Sequence, residues 1–231
     1  MKPSTSRAKP RIWNTDWLIL RELSTILGDQ VESRLPHGSQ VVDFGCGAMP
    51  YRSMMLQAGI RYVGADIDGA GDLLIGPDGR VPLGDASTDA IMSIQVLEHV
   101  EDLDAYCAEI CRLLRAEGTL LLSTHGTWLY HPHPRDLRRW TRTGLEYELA
   151  RQGLAVEETF SIVGPLATTT IIRLTGFAFV LRKLPLVGVL LAGALAVLMN
   201  LRAMLEDKLT PSSIRRDNAC IYCISARKAA S

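Results

Sequence analysis

The run Val41-Val42-Asp43-Phe44 leads straight into Gly45-Cys46-Gly47, and this junction constrains the chain more than any other stretch. Four residues of strand character that end on two closely spaced glycines predict a sharp strand-to-helix turn. Without a Cβ at 45 or 47, a ligand can approach the backbone there. In an open α/β sheet that crevice, beyond the carboxyl ends of the strands, is the place where ligands bind. A second strand, over 61–66, ends on Asp66, twenty-one residues after Gly45. A carboxylate at that point can accept hydrogen bonds from both hydroxyls of a ribose.

The rest of the chain supplies the frame. Residues 1–10 read as a disordered tail, too polar and basic for a signal peptide. An amphipathic helix is expected over 14–35, carrying Trp17, Leu20, Leu23, Leu27 and Val31 at three- and four-residue spacings. Strand and helix patterns then alternate: strands at 41–44, 61–66, 72–75, 89–95 and 119–124, with helices at 51–58 and 103–115 between them. A helix over 143–152 and strands over 154–163 and 218–226 complete the pattern. Such alternation predicts a doubly wound sheet with helices on both faces. Residues 1–37 form the tail and first helix, 38–164 plus 211–231 the core, and 165–210 an apolar helical insertion.

Composition excludes several classes. Hydrophobic residues at 47% and charged residues at 22% are those of a globular chain with a full core. A formal net charge of zero argues against a broad nucleic-acid surface. The cysteines, Cys46, Cys107, Cys111, Cys220 and Cys223, are odd in number and form no secreted disulfide framework, so a reducing, cytoplasmic setting is expected. Cys107 and Cys111 share a helix face, whereas Cys220 and Cys223, three apart in a strand, are expected to face opposite sides. No metal site is expected.

Two nucleoside cofactors fit the turn. A dinucleotide site asks for a third glycine, where this chain has Pro50. A cofactor without phosphates asks instead for an acid near an ammonium group, which Asp43 provides. The order of the following residues favours the second. Asp78-Gly79-Arg80-Val81-Pro82-Leu83, Asp89-Ala90-Ile91, Gln95-Val96-Leu97-Glu98-His99-Val100 and Glu109-Ile110-Cys111-Arg112-Leu113-Leu114 follow one another as they do in one protein family. Over 38–160 and 218–228 the chain resembles the class I S-adenosylmethionine (SAM)-dependent methyltransferases, in their small LEHV-type branch.

The resemblance implies a seven-stranded Rossmann-like sheet of order 3-2-1-4-5-7-6. It also implies SAM as the cofactor. Asp43, Gly45 and Gly47 would hold the methionine part, with Gln95 close by; Asp66 would bind the ribose; Ile67 would pack on the adenine; Asp78, with Gly79 beside it, would bind the adenine amino group. The Leu97–Val100 run is read as a structural turn. Ala48-Met49 in place of a third glycine, and Glu117-Gly118 in place of a Gly-Gly pair, depart from the family pattern.

The methyl acceptor should meet loops at the same sheet edge. The loop 125–141 carries His125, His131 and His133 with Asp136 and several arginines, and histidine is the natural base near neutral pH. These three are the candidate catalytic residues. The pattern Pro134-x-Asp136-x-x-Arg139-Trp140-Thr141 after His125 is similar to that of methyltransferases associated with glycan or cell-envelope chemistry. Asp136 and Arg139 can equally pair to brace the loop.

Within the insertion, residues 184–199 carry no charge, Arg182-Lys183 precede them and Arg202 follows. A spanning helix needs about 20 apolar residues. The stretch reads as a buried or dimer helix, as a monotopic hairpin dipping into one leaflet, or as a span. A single pass would separate the last strand from its sheet, which favours a hairpin or two spans together. The expected acceptor is a small molecule, hydrophobic, lipid-linked or glycan, methylated on oxygen, with peripheral membrane contact through 165–210 at the inner face of the membrane. The competing readings are a SAM-binding partner without catalysis and a nicotinamide-dependent oxidoreductase.

Overall fold

The computed structural model describes residues 5–132 and 135–229. Its centre is a seven-stranded sheet in the order β3-β2-β1-β4-β5-β7-β6. The strands are β1 Gln40–Phe44, β2 Arg61–Asp66, β3 Leu73–Leu74, β4 Thr88–Ile94, β5 Leu114–His125, β6 Leu154–Ile162 and β7 Ile221–Lys228. The first five run parallel, and β7 is antiparallel to both β5 and β6. This is the order that the family resemblance implies.

Period-two alternation sends neighbouring side chains to opposite faces. Val41, Met92, Leu121 and Cys223 pack on one side with Leu23, Leu27 and Val31 of α2 (Trp17–Arg34). Val42, Ile91, Leu120, Leu122 and Ile224 pack on the other. There they meet Ile110 and Leu113 of α4 (Leu103–Leu113) and Leu145 and Leu149 of α5 (Arg142–Arg151). The remaining short helices are α1 Thr5–Ala8 and α3 Arg52–Gln57. Both faces of the central strands are therefore covered, as their near-continuous apolar character requires.

Three expectations shift. The segment read as a disordered tail contains α1, and Ala8 packs on the core beside α2. The helix expected over 103–115 stops at Leu113, because Leu114 is already extended and pairs with Thr88, so β5 begins five residues earlier than expected. Cys220 and Cys223 line the same core rather than opposite faces, because the strand begins at Ile221 and Cys220 sits in the turn before it.

Between β6 and β7 rise α6 (Pro165–Leu181) and α7 (Gly188–Leu209), followed by α8 (Ser212–Asp217). The two long helices form an antiparallel hairpin. A stripe of small residues on α7, Gly188, Ala192, Ala196, Asn200 and Ala203, is buried. A Cβ on Gly188 would fall 2.2 Å from the Leu181 carbonyl oxygen, so only glycine allows the helices to approach so closely. At the base, Thr170 Oγ1 donates to Glu206 at 2.5 Å and Gly164 N–H to Asp207 at 2.6 Å. His125, Ile221 and Ile162 are register partners across β5, β7 and β6. Both ends of the hairpin thus return to the edge where the parallel strands end, and a single pass between β6 and β7 is excluded.

Candidate active site

The carboxyl ends of β1, β2 and β4 bring most of the expected cofactor residues together. Phe44 lies beside Ala65, and the N–H groups of Gly45 and Cys46 both donate to the Ala65 carbonyl. Gly45 has φ +84°, and a Cβ there would meet Val96 Cγ2 at 2.6 Å. The turn therefore needs glycine both for its backbone and for the approach of the chain that follows β4. Gly47, at φ +50°, has nothing within 4 Å of where a Cβ would sit, so the turn opens onto free space.

Asp66 ties the turn to β2. Its Oδ2 accepts from Gly47 N–H at 2.6 Å, and its Oδ1 accepts from Ile67 N–H at 2.7 Å. The Ile67 side chain is 65% exposed at this edge, a large apolar surface suited to a flat ring. Asp43 is buried and accepts a hydrogen bond from the Tyr62 hydroxyl. Burial pushes its carboxyl up to about 7, the Tyr62 bond opposes that, and the Asp66 charge adds to it. Gln95 takes φ +60°, and its Nε2 donates to Ser123 Oγ at 3.0 Å, linking the ends of β4 and β5. Asp78 and Gly79 lie in a tight exposed turn, where Asp78 Oδ1 accepts from Arg80 N–H at 3.1 Å. An open glycine turn, two acids and an exposed apolar side chain at one edge fit a nucleoside with an amino-acid tail.

The second half of the site is built on the turn Leu97–His99 after β4. Glu98, wholly buried, faces His125 with 2.9 Å between Oε1 and Nδ1. Its other oxygen accepts from Thr124 Oγ1 at 2.8 Å. Burial alone would raise the Glu98 carboxyl, but the His125 bond and charge outweigh it and hold it below the usual range. Glu98 is therefore ionised at neutral pH. His125 stacks on Trp128, with ring centroids 6.3 Å apart. His131 lies edge-on to His125 at 5.1 Å and at the same distance from His99, whose Nδ1 meets the Arg135 carbonyl. Burial and the two neighbouring histidines push His131 down to about 4, so it is neutral.

The loop is stapled in place. Leu137 N–H donates to the Glu98 carbonyl, Trp140 N–H to the His125 carbonyl, and the Arg138 guanidinium to the Val100 carbonyl. Arg139 and the His131 N–H hold the Asp136 carboxyl far below its usual range. Asp136 is thus the brace that its spacing from Arg139 suggested. Of the three histidines expected to be catalytic, the structure brings His125 and His131 together, and His133 lies outside the described residues. Sequence reasoning missed Glu98, Thr124 and Trp128. Among the described residues no cluster of three or more His, Cys, Asp or Glu side chains is arranged to hold a metal ion.

Fold and site together bring an open glycine turn, Asp66 and the buried Glu98–His125 pair to one edge of an α/β sheet. Residues 42–122 match the family model described as a methyltransferase domain. A protein of Mycolicibacterium smegmatis named "Probable S-adenosylmethionine-dependent methyltransferase/" is 30% identical over 155 residues, covering 57% of this chain and 59% of that protein. The malonyl-[acyl-carrier protein] O-methyltransferase of Serratia marcescens is 33% identical over 98 residues, 38% of each chain. The chain thus spans about three fifths and two fifths of the lengths of these relatives. Among solved structures, the cyclase SpnF superposes with a TM-score of 0.60 at 18% identity, covering 92% of this chain and 84% of its own. The geranyl diphosphate C-methyltransferase of Streptomyces coelicolor, solved with S-adenosyl-L-homocysteine, gives 0.55 at 13% identity, covering 99% and 91%. Residues 42–122 thus match a methyltransferase domain within a sheet of class I methyltransferase order, and the similarity to SAM-dependent methyltransferases makes SAM the cofactor.

Proposed function

We propose that this chain transfers a methyl group from SAM to an oxygen of a hydrophobic acceptor, lipid-linked or glycan-bearing, with His125 as the general base. The observation that carries the reading is the buried Glu98–His125 pair at the sheet edge that holds the glycine turn. When bound, SAM supplies an electrophilic methyl group. Asp43, Gly45, Gly47 and Gln95 would hold its methionine part and Asp66 its ribose, with Ile67 against the adenine.

The chain's own chemistry is proton handling and positioning. A proton on Nδ1, held by the charge of the Glu98 carboxylate 2.9 Å away, would leave Nε2 as the basic nitrogen of His125. An acceptor hydroxyl placed there gives its proton to Nε2 as its oxygen takes the methyl group, and the positive charge arriving on the ring faces the Glu98 carboxylate. Glu98 needs no proton of its own in this step. Trp128 and the neutral His131 shield the ring from water, which strengthens the pairing. The fold alone does not fix this reaction, since the SpnF structure is that of a cyclase.

The hydrophobic acceptor is inferred from the hairpin that springs from the same edge, and the setting from the five free cysteines, which suit a reducing cytoplasm at the inner face of a membrane. The test incubates the chain with methyl-labelled SAM and an envelope lipid extract, and follows label into the organic phase. Label should enter an ether or ester product and drop at least about thirtyfold with His125→Asn. Bound SAM with no transfer to any fraction would reduce the chain to a SAM-binding partner.

A further inference from the structure

The outer surface of the α6–α7 hairpin has a charge pattern and a shape that the methyl-transfer site does not use. Between Glu158 and Glu206 the sequence has no acidic residue, in a chain whose acids and bases otherwise balance at 25 each. The charged residues of that stretch are Arg173, Arg182, Lys183 and Arg202. Arg202 pairs with Glu206 at 2.7 Å, and Lys183 lies 4.6 Å above the Phe179 ring. Among the described residues Arg173 and Arg182 make no ion pair. The tip is apolar and open: Leu184, Val187, Val189 and Leu190 are exposed, and Leu186 is 100% exposed. Large aliphatic side chains in a continuous exposed patch mark an interaction surface rather than ordinary surface scatter.

We propose that this hairpin docks tip-first into one leaflet of a bilayer rich in anionic lipid. Three observations select that occupant. Arg173, Arg182 and Lys183 stand without competing acids, which complements anionic headgroups and would be idle against a neutral protein groove. The depth fits within one leaflet. Toward its carboxyl end α7 is engaged by the body of the protein: Asn200 Nδ2 donates to the carbonyls of Ile12 and Asn14 at 2.7 and 2.8 Å, and Ala203 is buried in the core. The part beyond Trp13, from Gly188 to Gly193, rises about 9 Å, within the about 15 Å of half of the hydrocarbon core. Finally, Trp13 is 49% exposed and lies against α7, where a Cβ on Gly193 would approach its own Cβ at 4.0 Å. The Arg11 guanidinium covers its ring at 5.4 Å. A tryptophan with an arginine beside it is the side-chain pair that settles at a headgroup boundary. With Trp13 at that level, Leu184–Leu191 enters the acyl region by about 10 Å, and Arg182 and Lys183 reach back along their apolar stems to the phosphates.

The test is co-sedimentation of the full chain with vesicles of phosphatidylcholine alone and with 30% phosphatidylglycerol, at low and high salt, alongside analytical ultracentrifugation without lipid. Binding should require the anionic lipid and weaken with salt. Each cation near an anionic leaflet strengthens partitioning about fivefold, so Arg182→Gln with Lys183→Gln should weaken it about 25-fold. Leu186→Asp with Leu190→Asp should abolish it. Both pairs are exposed, so thermal unfolding and SAM affinity should stay unchanged, which also separates this proposal from the methyl-transfer reading. Equal binding to both vesicle types overturns the anionic assignment. No binding to either overturns the proposal, as does a concentration-dependent dimer that the aspartate pair dissolves.

Discussion

Replacing Glu98 by glutamine removes one negative charge while keeping the side chain's size and its bond from Thr124. Glu98 Oε1 and His125 Nδ1 are 2.9 Å apart, which puts the charge centres roughly 4 Å from each other once the ring is protonated. At an effective dielectric constant of about 20 two such charges attract by about 4 kcal/mol. If the proton is half transferred at the transition state, about 2 kcal/mol of that is lost in the variant. Complete transfer loses the whole of it. The expected fall in kcat is therefore between about 30-fold and about 1000-fold, overlapping the about 100- to 10 000-fold typical of general acid–base catalysis. The assay is single-turnover methyl transfer, with SAM affinity measured by calorimetry on the same samples. SAM affinity should be unchanged, Glu98→Asp should recover part of the rate, and His125→Asn with Glu98→Gln should cost no more than His125→Asn alone. A Glu98→Gln rate within threefold of the parent, with the fold intact, would refute the reasoning.

Three further outcomes follow from the same geometry. Asp43 is pushed up to about 7, so its carboxylate, the proposed partner for the SAM ammonium, fills in as pH rises. SAM affinity should increase between about pH 6 and pH 8, with proton release on binding that calorimetry in buffers of different ionisation enthalpy will register; flat affinity would remove Asp43 from the site. His131 ionises near 6.5 when unfolded and at about 4 when folded, so in that window the unfolded chain binds more protons. Its contribution to stability is therefore complete above about pH 6.5 and is lost as pH falls toward 4, and urea midpoints at pH 7 and pH 5 should converge in His131→Asn. Gly45→Ala puts a Cβ 2.6 Å from Val96 at a φ of +84°, which should cost about 1–3 kcal/mol and lower the melting temperature by several degrees, with loss of SAM binding.

The sheet could be read in the sequence because its central strands bury both faces and keep their period over several residues. That Asp43, Gly45, Gly47 and Asp66 share one sheet edge was legible for a related reason: they sit at strand ends, where the chain's order fixes their position. The Glu98–His125 pair was not. Its members lie 27 positions apart and meet only because Gln95 N–H bonds the Ser123 carbonyl, a register that nothing local encodes. An acid next to a histidine in a short turn after a strand was the one available signal, and the turn reading absorbed it. Cys220 went astray through a boundary of one residue, since a strand beginning at Ile221 leaves it outside the alternation. The hairpin's two helices followed from composition together with the need to return β7 to its sheet.

The glycine turn and Asp66 are the heart of the proposed SAM site. Titration calorimetry of the chain with SAM should give one site, no detectable binding of NAD, and at least a tenfold loss with Asp66→Ala, whose carboxylate both anchors Gly47 and would meet the ribose. Unchanged affinity in Asp66→Ala, or a parent chain that binds NAD in place of SAM, would contradict it.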